Sequence, residues 1–237
     1  MQELTQYDLT WCLRHVPHDV FKLVLEHPNK VVIAGGFLRA VIANEKANDI
    51  DIFCPSADLA RAYAELLALH RGVKVFKTDN AYSVKGGANR LMVQFIHRWT
   101  YDTPEALLES FDFTVAKAAI WFDAQWVSLV DERFYPDLAA KRLVYTSPKR
   151  NEDAGGSMLR VLKFYQRGYR IPLDSLGAVI GRLVSAVDFD AIHRGEEQVS
   201  KVITGLLREV DPSIDLAHLS HLPSMQERDA EVGVENE

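Results

Sequence analysis

Cysteine is scarce in this chain, with two in 237 residues. Cys12 and Cys54 lie far apart and fit no metal-ligand spacing. A module built on paired zinc-binding cysteines is therefore excluded, and buried thiols in a reducing compartment are expected over a disulfide. No apolar run reaches the length that crosses a bilayer. The N-terminus lacks the basic-then-apolar pattern of a secretory signal, so a cytoplasmic protein is expected. Positive charge is also short, at 27 Lys and Arg against 33 Asp and Glu, a net −6. That balance argues against coating nucleic acid through the whole surface and leaves room for a local basic site. There are no internal repeats. The rest is an ordinary globular composition, 48% hydrophobic and 25% charged, long enough for one large domain or two small ones.

The organising stretch runs from Val31 to Phe53. Val31, Val32 and Ile33 are β-branched and apolar, as in a buried strand. Gly35-Gly36 breaks that strand and permits close backbone approach. Phe37, Leu38, Val41 and Ile42 follow at helical spacing. Asp49-Ile50-Asp51-Ile52 then alternates acid with apolar, which in a strand sets both carboxylates on one face. Two such carboxylates repel each other, and a hard cation such as Mg²⁺ is the usual way to hold them together. A helix opening at Gly35-Gly36 presents free N–H groups and its positive dipole end to a phosphate. The combination is equipment for metal-assisted nucleotidyl transfer. The competing reading is a surface strand with a solvated acidic face behind a glycine turn.

The segment resembles the signature of the DNA polymerase β-like nucleotidyltransferase superfamily: a glycine turn, about a dozen residues, then acid-apolar-acid-apolar on a strand. Gly35-Gly36-Phe37-Leu38-Arg39 is similar to the form found in tRNA nucleotidyltransferases and bacterial poly(A) polymerases. Those carry an acid after the arginine, where Ala40 stands here. The resemblance implies a polymerase-β-like fold, α/β of the α+β type, with a mixed sheet and helices followed by a small all-helical domain. It implies two Mg²⁺ ions at Asp49 and Asp51 and an NTP substrate held by Gly35, Gly36 and Arg39. The acceptor it implies is an RNA (tRNA-like) 3′ end, with pyrophosphate leaving. A third carboxylate would fall near Gln94, which is neutral, so either two suffice or Asp112 supplies the third metal ligand.

Further along, Asp112, Phe113 and Thr114 resemble the family's Asp-Phe-Thr motif, which helps place the ribose. Phe111 and Ala116 replace its usual arginine and asparagine, and a helix N-cap is the other reading of these residues. Leu159, Arg160, Lys163, Phe164, Arg167 and Gly168 follow the pattern of the family's neck helix, which adds Arg160 and Lys163 as nucleotide-binding candidates. The family's base-selecting Glu-Asp-x-x-Arg is degraded: Glu152-Asp153 lie early and Ser157 stands in the arginine's place. The resemblance covers residues 31–170.

Elsewhere, residues 1–29 should form two helices divided at Pro17, with His15 and His18 as surface or cap residues near the break. Ser56 should cap a helix reaching His70, closed by Gly72. Strands are expected over 73–78, 81–85 and 90–97, a short helix over 104–109, and a hairpin turning at 123–125. A helix should then run from Leu138 to about Val144. Composition divides the chain into a catalytic domain (1–146), a helical domain (147–223) and a disordered acidic tail (224–237). Between Lys141 and Arg170 eight basic residues face two acids, which suits a triphosphate or an RNA backbone. Two other functions fit the same residues. One is a nucleotidyltransferase-like fold kept as a binding or regulatory module. The other is a toxin-type nucleotidyltransferase acting on tRNA or protein.

Overall fold

The computed structural model describes residues 1–86, 90–146, 148, 155–193 and 199–208. The chain begins with α1 (Gln6–His15) and α2 (His18–Glu26), which meet at Pro17. Thr5 caps α1, its Oγ1 accepting the Asp8 N–H at 3.1 Å. Asn29, at φ 58°, turns the chain toward β1 (Val32–Ala34). Next come α3 (Gly36–Ile42) and β2 (Asp49–Phe53). Helix α4 (Ala57–Arg71) is capped by Ser56 and stops at Gly72, which takes the left-handed conformation at φ 67°. Arg71 holds Asp19 of α2 through Nε at 2.8 Å and Nη2 at 3.2 Å, tying the two helices together.

The chain continues through β3 (Val75–Lys77), β4 (Ala81–Val84), β5 (Met92–Ile96) and α5 (Pro104–Glu109). A single 3₁₀ turn at Thr114–Ala116 leads into the hairpin of β6 (Ala118–Asp123) and β7 (Gln125–Val130). Helices α6 (Phe134–Ala139), α7 (Gly156–Gln166), α8 (Leu173–Ser185), α9 (Phe189–His193) and α10 (Val199–Arg208) follow. The seven strands form one mixed sheet in the order β3-β4-β5-β2-β1-β6-β7. Among these described strands β2 and β5 pair in parallel and the other neighbours pair antiparallel. This is the mixed α/β class that the sequence implies.

The register sorts the side chains onto two faces. Ile33, Ile52 and Ile120 align across β1, β2 and β6 and are fully buried. On the other face Ala34 lies opposite both Asp51 and Ala119. Leu107 and Leu108 of α5 pack against Ala34 and Ala119 there. So α5 covers the same face that carries the carboxylates.

One element differs from expectation. The helix expected from Leu138 to Val144 starts at Phe134 and ends at Ala139. Beyond it the backbone is claimed by other partners: Leu143 N–H donates to Arg170 C=O at 2.8 Å, and Val144 C=O accepts from Thr114 N–H at 3.1 Å. Tertiary pairing thus overrides helical propensity.

The chain divides into two compact units, one of residues 1–151 with 160–181, the other of 152–159 with 182–237. The tail expected at 224–237 lies outside the described residues, as do residues 87–89. Cys12 and Cys54 are free, buried thiols, each pushed up to about 12, chiefly by burial, and so inert. Among the described residues no helix is long and apolar enough to cross a membrane.

Candidate functional site

The alternation of β2 works out in space. Ile50 and Ile52 are fully buried on one side, while Asp49, Asp51 and Phe53 are partly exposed on the other. Burial, and then the neighbouring Asp49, push the Asp51 carboxyl up to about 8, with Arg160 pulling the other way. Gln94 lies opposite Asp51 on β5, and Ser83 lies opposite Gln94 on β4. The sheet therefore offers an amide, not a carboxylate, beside the pair. Among the described residues no three His, Cys, Asp or Glu gather closely enough to hold a metal.

The glycine turn sits next to the pair because β1 runs antiparallel to β2. Gly35 has φ 83° and ψ −131°, a conformation open only to glycine. Its N–H donates to Ala118 C=O at 2.9 Å, and a Cβ there would sit 3.4 Å from the Phe111 ring. Gly36 differs, for a Cβ on it would meet nothing within 4 Å. Gly35→Ala is expected to destabilise the fold by about 1–3 kcal/mol, whereas Gly36→Ala leaves the melting temperature near the parent's. Thermal melts of the two variants check this.

Arg39 is turned inward. It is 2% exposed and ion-paired with Glu45. Its Nη1 also donates to Tyr169 Oη at 3.4 Å, and its guanidinium lies 5.0 Å from the Phe164 ring centre. Nothing in the local sequence announces this, because the partners come from 6, 125 and 130 residues away. Asp112, at 2% exposure, accepts from Arg160 Nη1 at 2.6 Å. Thr114 Oγ1 donates to Asp137 Oδ2 at 2.7 Å, and Asp137, fully buried, also accepts from Arg142 Nε at 2.9 Å. The Asp-Phe-Thr strip is thus tied to α6, α7 and the chain between them.

The helix α7 supplies the positive charge. Arg160 bears on Asp51. Lys163 is exposed one turn on, and Arg167 follows just beyond the last turn. Burial and the neighbouring Arg39 push the Arg167 guanidinium below its ordinary value, while Glu45, Tyr169 and Asp49 pull it back. Arg167, which follows the neck-helix pattern, is thus within electrostatic reach of Asp49. The basic cluster is less free than its charge count suggests. Lys141 lies 3.6 Å from Glu45, Arg142 pairs with Asp137, and Arg160 with Asp112. Lys149, Arg150, Glu152 and Asp153 lie outside the described residues. Ser157 is 1% exposed.

Residues 3–141 match the sequence model of the Gabija anti-defense 2 family. The chain belongs to this family. Over 144 residues it is 28% identical to Gabija anti-defense 2 of Bacillus phage SPbetaL7, a match spanning 60% of this chain and 34% of that relative. The chain therefore spans about a third of the curated relative it matches. Its fold is shared with CCA-adding enzymes. The Thermotoga maritima CCA-adding enzyme complexed with tRNA aligns at a TM-score of 0.58 and 20% identity, over 78% of this chain and 47% of that one. A CCA-adding enzyme in complex with ATP aligns at 0.58 and 21%, over 93% and 54%. These likenesses establish a nucleotidyltransferase-like fold. In this Gabija anti-defense 2 family member the family match includes the glycine turn, Asp49, Asp51, Asp112 and Thr114 and stops before α7.

Proposed function

We propose that this chain is a metal-dependent nucleotidyltransferase that moves an NMP from an NTP to an acceptor hydroxyl, with an RNA 3′ end as the leading acceptor. The observation that carries the reading is the placement of Asp49 and Asp51 on one strand face, where burial and mutual repulsion disfavour both being charged. That donor set fits Mg²⁺, which is commonly held by one or two carboxylates together with substrate phosphates. When bound by Asp49 and Asp51, Mg²⁺ would offset charge on the transferring phosphoryl group and favour the deprotonated acceptor. In the transfer the acceptor oxygen bonds to the α-phosphorus, the bond from the α-phosphorus to the bridging oxygen breaks, and pyrophosphate departs while the hydroxyl proton passes to water. Arg160 and Arg167, which bear on Asp51 and Asp49, and the exposed Lys163 between them would counter the triphosphate's charge. The open flank of Gly36 gives the phosphates room to approach. Arg39, Asp112 and Thr114 act one step back, by fixing α3 and α7 around the site. We further propose that the reaction takes place in the cytoplasm and serves the anti-defense role in the family's name.

The second reading is a nucleotidyltransferase-like module that binds without turnover. Gln94 opposite Asp51 favours it. Incubation of the chain with each labelled NTP, Mg²⁺ and total RNA separates the two. Label appearing in RNA supports transfer to an RNA end, and label in protein redirects the acceptor. No labelled product with any NTP, together with Mg²⁺-dependent nucleotide binding by calorimetry, leaves the binding module.

A test of the cations follows. Lys163→Glu with Arg167→Glu should weaken NTP or RNA binding by roughly tenfold or more and flatten its dependence on salt. Arg160 is left intact in this variant because it is ion-paired with buried Asp112. Unchanged binding would assign both residues to a solvated face.

A further inference from the structure

A cavity at the far end of β2 takes no part in the chemistry above. We propose that it binds an organic cation, an alkylammonium or guanidinium group. The cavity measures about 270 Å³. Its floor is the sheet face that bears the carboxylates: Val32 of β1 lies opposite both Phe53 of β2 and Trp121 of β6. Its other wall is the chain entering α5, from Tyr101 to Glu105. Three aromatic rings, Phe53, Tyr101 and Trp121, therefore line one small space, and ring faces attract cations.

The polar lining points the same way. Asp102 and Glu105 line the cavity, and among the described residues no Lys, Arg or His does. Both are exposed, and neither carboxylate has an ion pair or hydrogen bond among the described residues. The Tyr101 hydroxyl is buried without a hydrogen-bond partner. A phosphate-bearing ligand would meet two carboxylates and no counter-charge, so the NTP is not the occupant. A neutral ring would use the aromatic walls and leave the carboxylates unanswered. A group with N–H donors and a positive charge answers both. The volume lies just under the range for drug-sized ligands, which suits one such group and not a folded segment. The group can come from a free polyamine or from a lysine or arginine side chain of a partner, and the chemistry is the same.

Calorimetry on the whole chain tests this with n-butylguanidinium, spermidine, n-butanol as the neutral counterpart, and adenosine. Both cations should bind at least tenfold more tightly than n-butanol or adenosine and weaken as NaCl is raised. The tighter of the two cations identifies the source as side chain or polyamine. Asp102→Asn with Glu105→Gln, both at exposed positions, should lose at least tenfold in n-butylguanidinium affinity with an unchanged melting temperature. Tyr101→Phe keeps the ring and removes only an unsatisfied buried hydroxyl, so it should bind n-butylguanidinium about as the parent does and melt no lower. Equal affinity for n-butanol, or tighter binding of adenosine, overturns the proposal. So does cation binding that survives Asp102→Asn with Glu105→Gln and disappears in Asp49→Asn with Asp51→Asn, which would place the cation at the strand pair. None of these outcomes depends on nucleotidyl transfer.

Discussion

A chain carrying Asp49→Asn and Asp51→Asn together should lose nucleotidyl transfer by roughly 1,000-fold or more, the scale of removing a principal electrostatic stabiliser. Asn keeps the shape of Asp and much of its hydrogen bonding while removing the charge a hard cation needs. The fold should survive. In the metal-free parent Asp51 keeps its proton up to about pH 8, whereas an ordinary Asp loses it near 3.8. The folded chain thus binds more protons than the unfolded chain between those values, and stability falls as pH rises across that window. The double variant cannot titrate at these positions and lacks the slope. Its melting temperature relative to the parent should therefore be higher near pH 9 than near pH 5. Mg²⁺ with NTP at about 100 times the dissociation constant should stabilise the parent by about 2.7 kcal/mol, which is roughly 5–10 °C for a chain of this size. The variant should gain far less. A parent that gains nothing with any NTP rules out the enzyme, and a variant with full activity places the catalytic centre elsewhere.

The sheet was legible because its pattern is local. Val32–Ala34, the glycine turn and Asp49–Phe53 each carry their own signal of period or punctuation, and pairing β1 with β2 brings those signals together. The caps at Thr5, Ser56 and Gly72 are likewise short-range chemistry. What sequence could not supply was the fate of the long-range polar partners. Arg39, Asp112 and Thr114 look like ligand contacts by motif, and each meets a side chain of this chain. Those partners lie 6, 48 and 23 residues away, at spacings set only by tertiary packing. The end of α6 was misread for the same reason, since Leu143 and Val144 pair with Arg170 and Thr114. Gln94 was legible in position and in its neutrality. Its place directly across from Asp51 makes the two-carboxylate question sharper than the sequence alone did.

Arg39 separates a ligand contact from a structural tie. Its side chain is 2% exposed and that of Glu45 16%, and Phe164 and Tyr169 surround the pair. Removing one member of a buried ion pair costs about 3–5 kcal/mol, and here Lys141, 3.6 Å from Glu45, would remain as a weaker partner. Arg39 Nε is itself without a hydrogen-bond partner, so the lower end of that range applies. Arg39→Met should therefore lower stability by about 3 kcal/mol, roughly 6–12 °C in melting temperature. Replacing both members with apolar residues of similar volume is often neutral. Arg39→Met with Glu45→Met should accordingly recover most of the loss. A double-mutant cycle by chemical denaturation reads the coupling directly. If Arg39 instead served the triphosphate, the single variant would melt like the parent and raise only the KM for NTP, and the second substitution would restore nothing. The structural tie also predicts a dependence on temperature: the single variant should lose activity in step with the unfolded fraction at each temperature, because this pair links α3 to the Tyr169 segment.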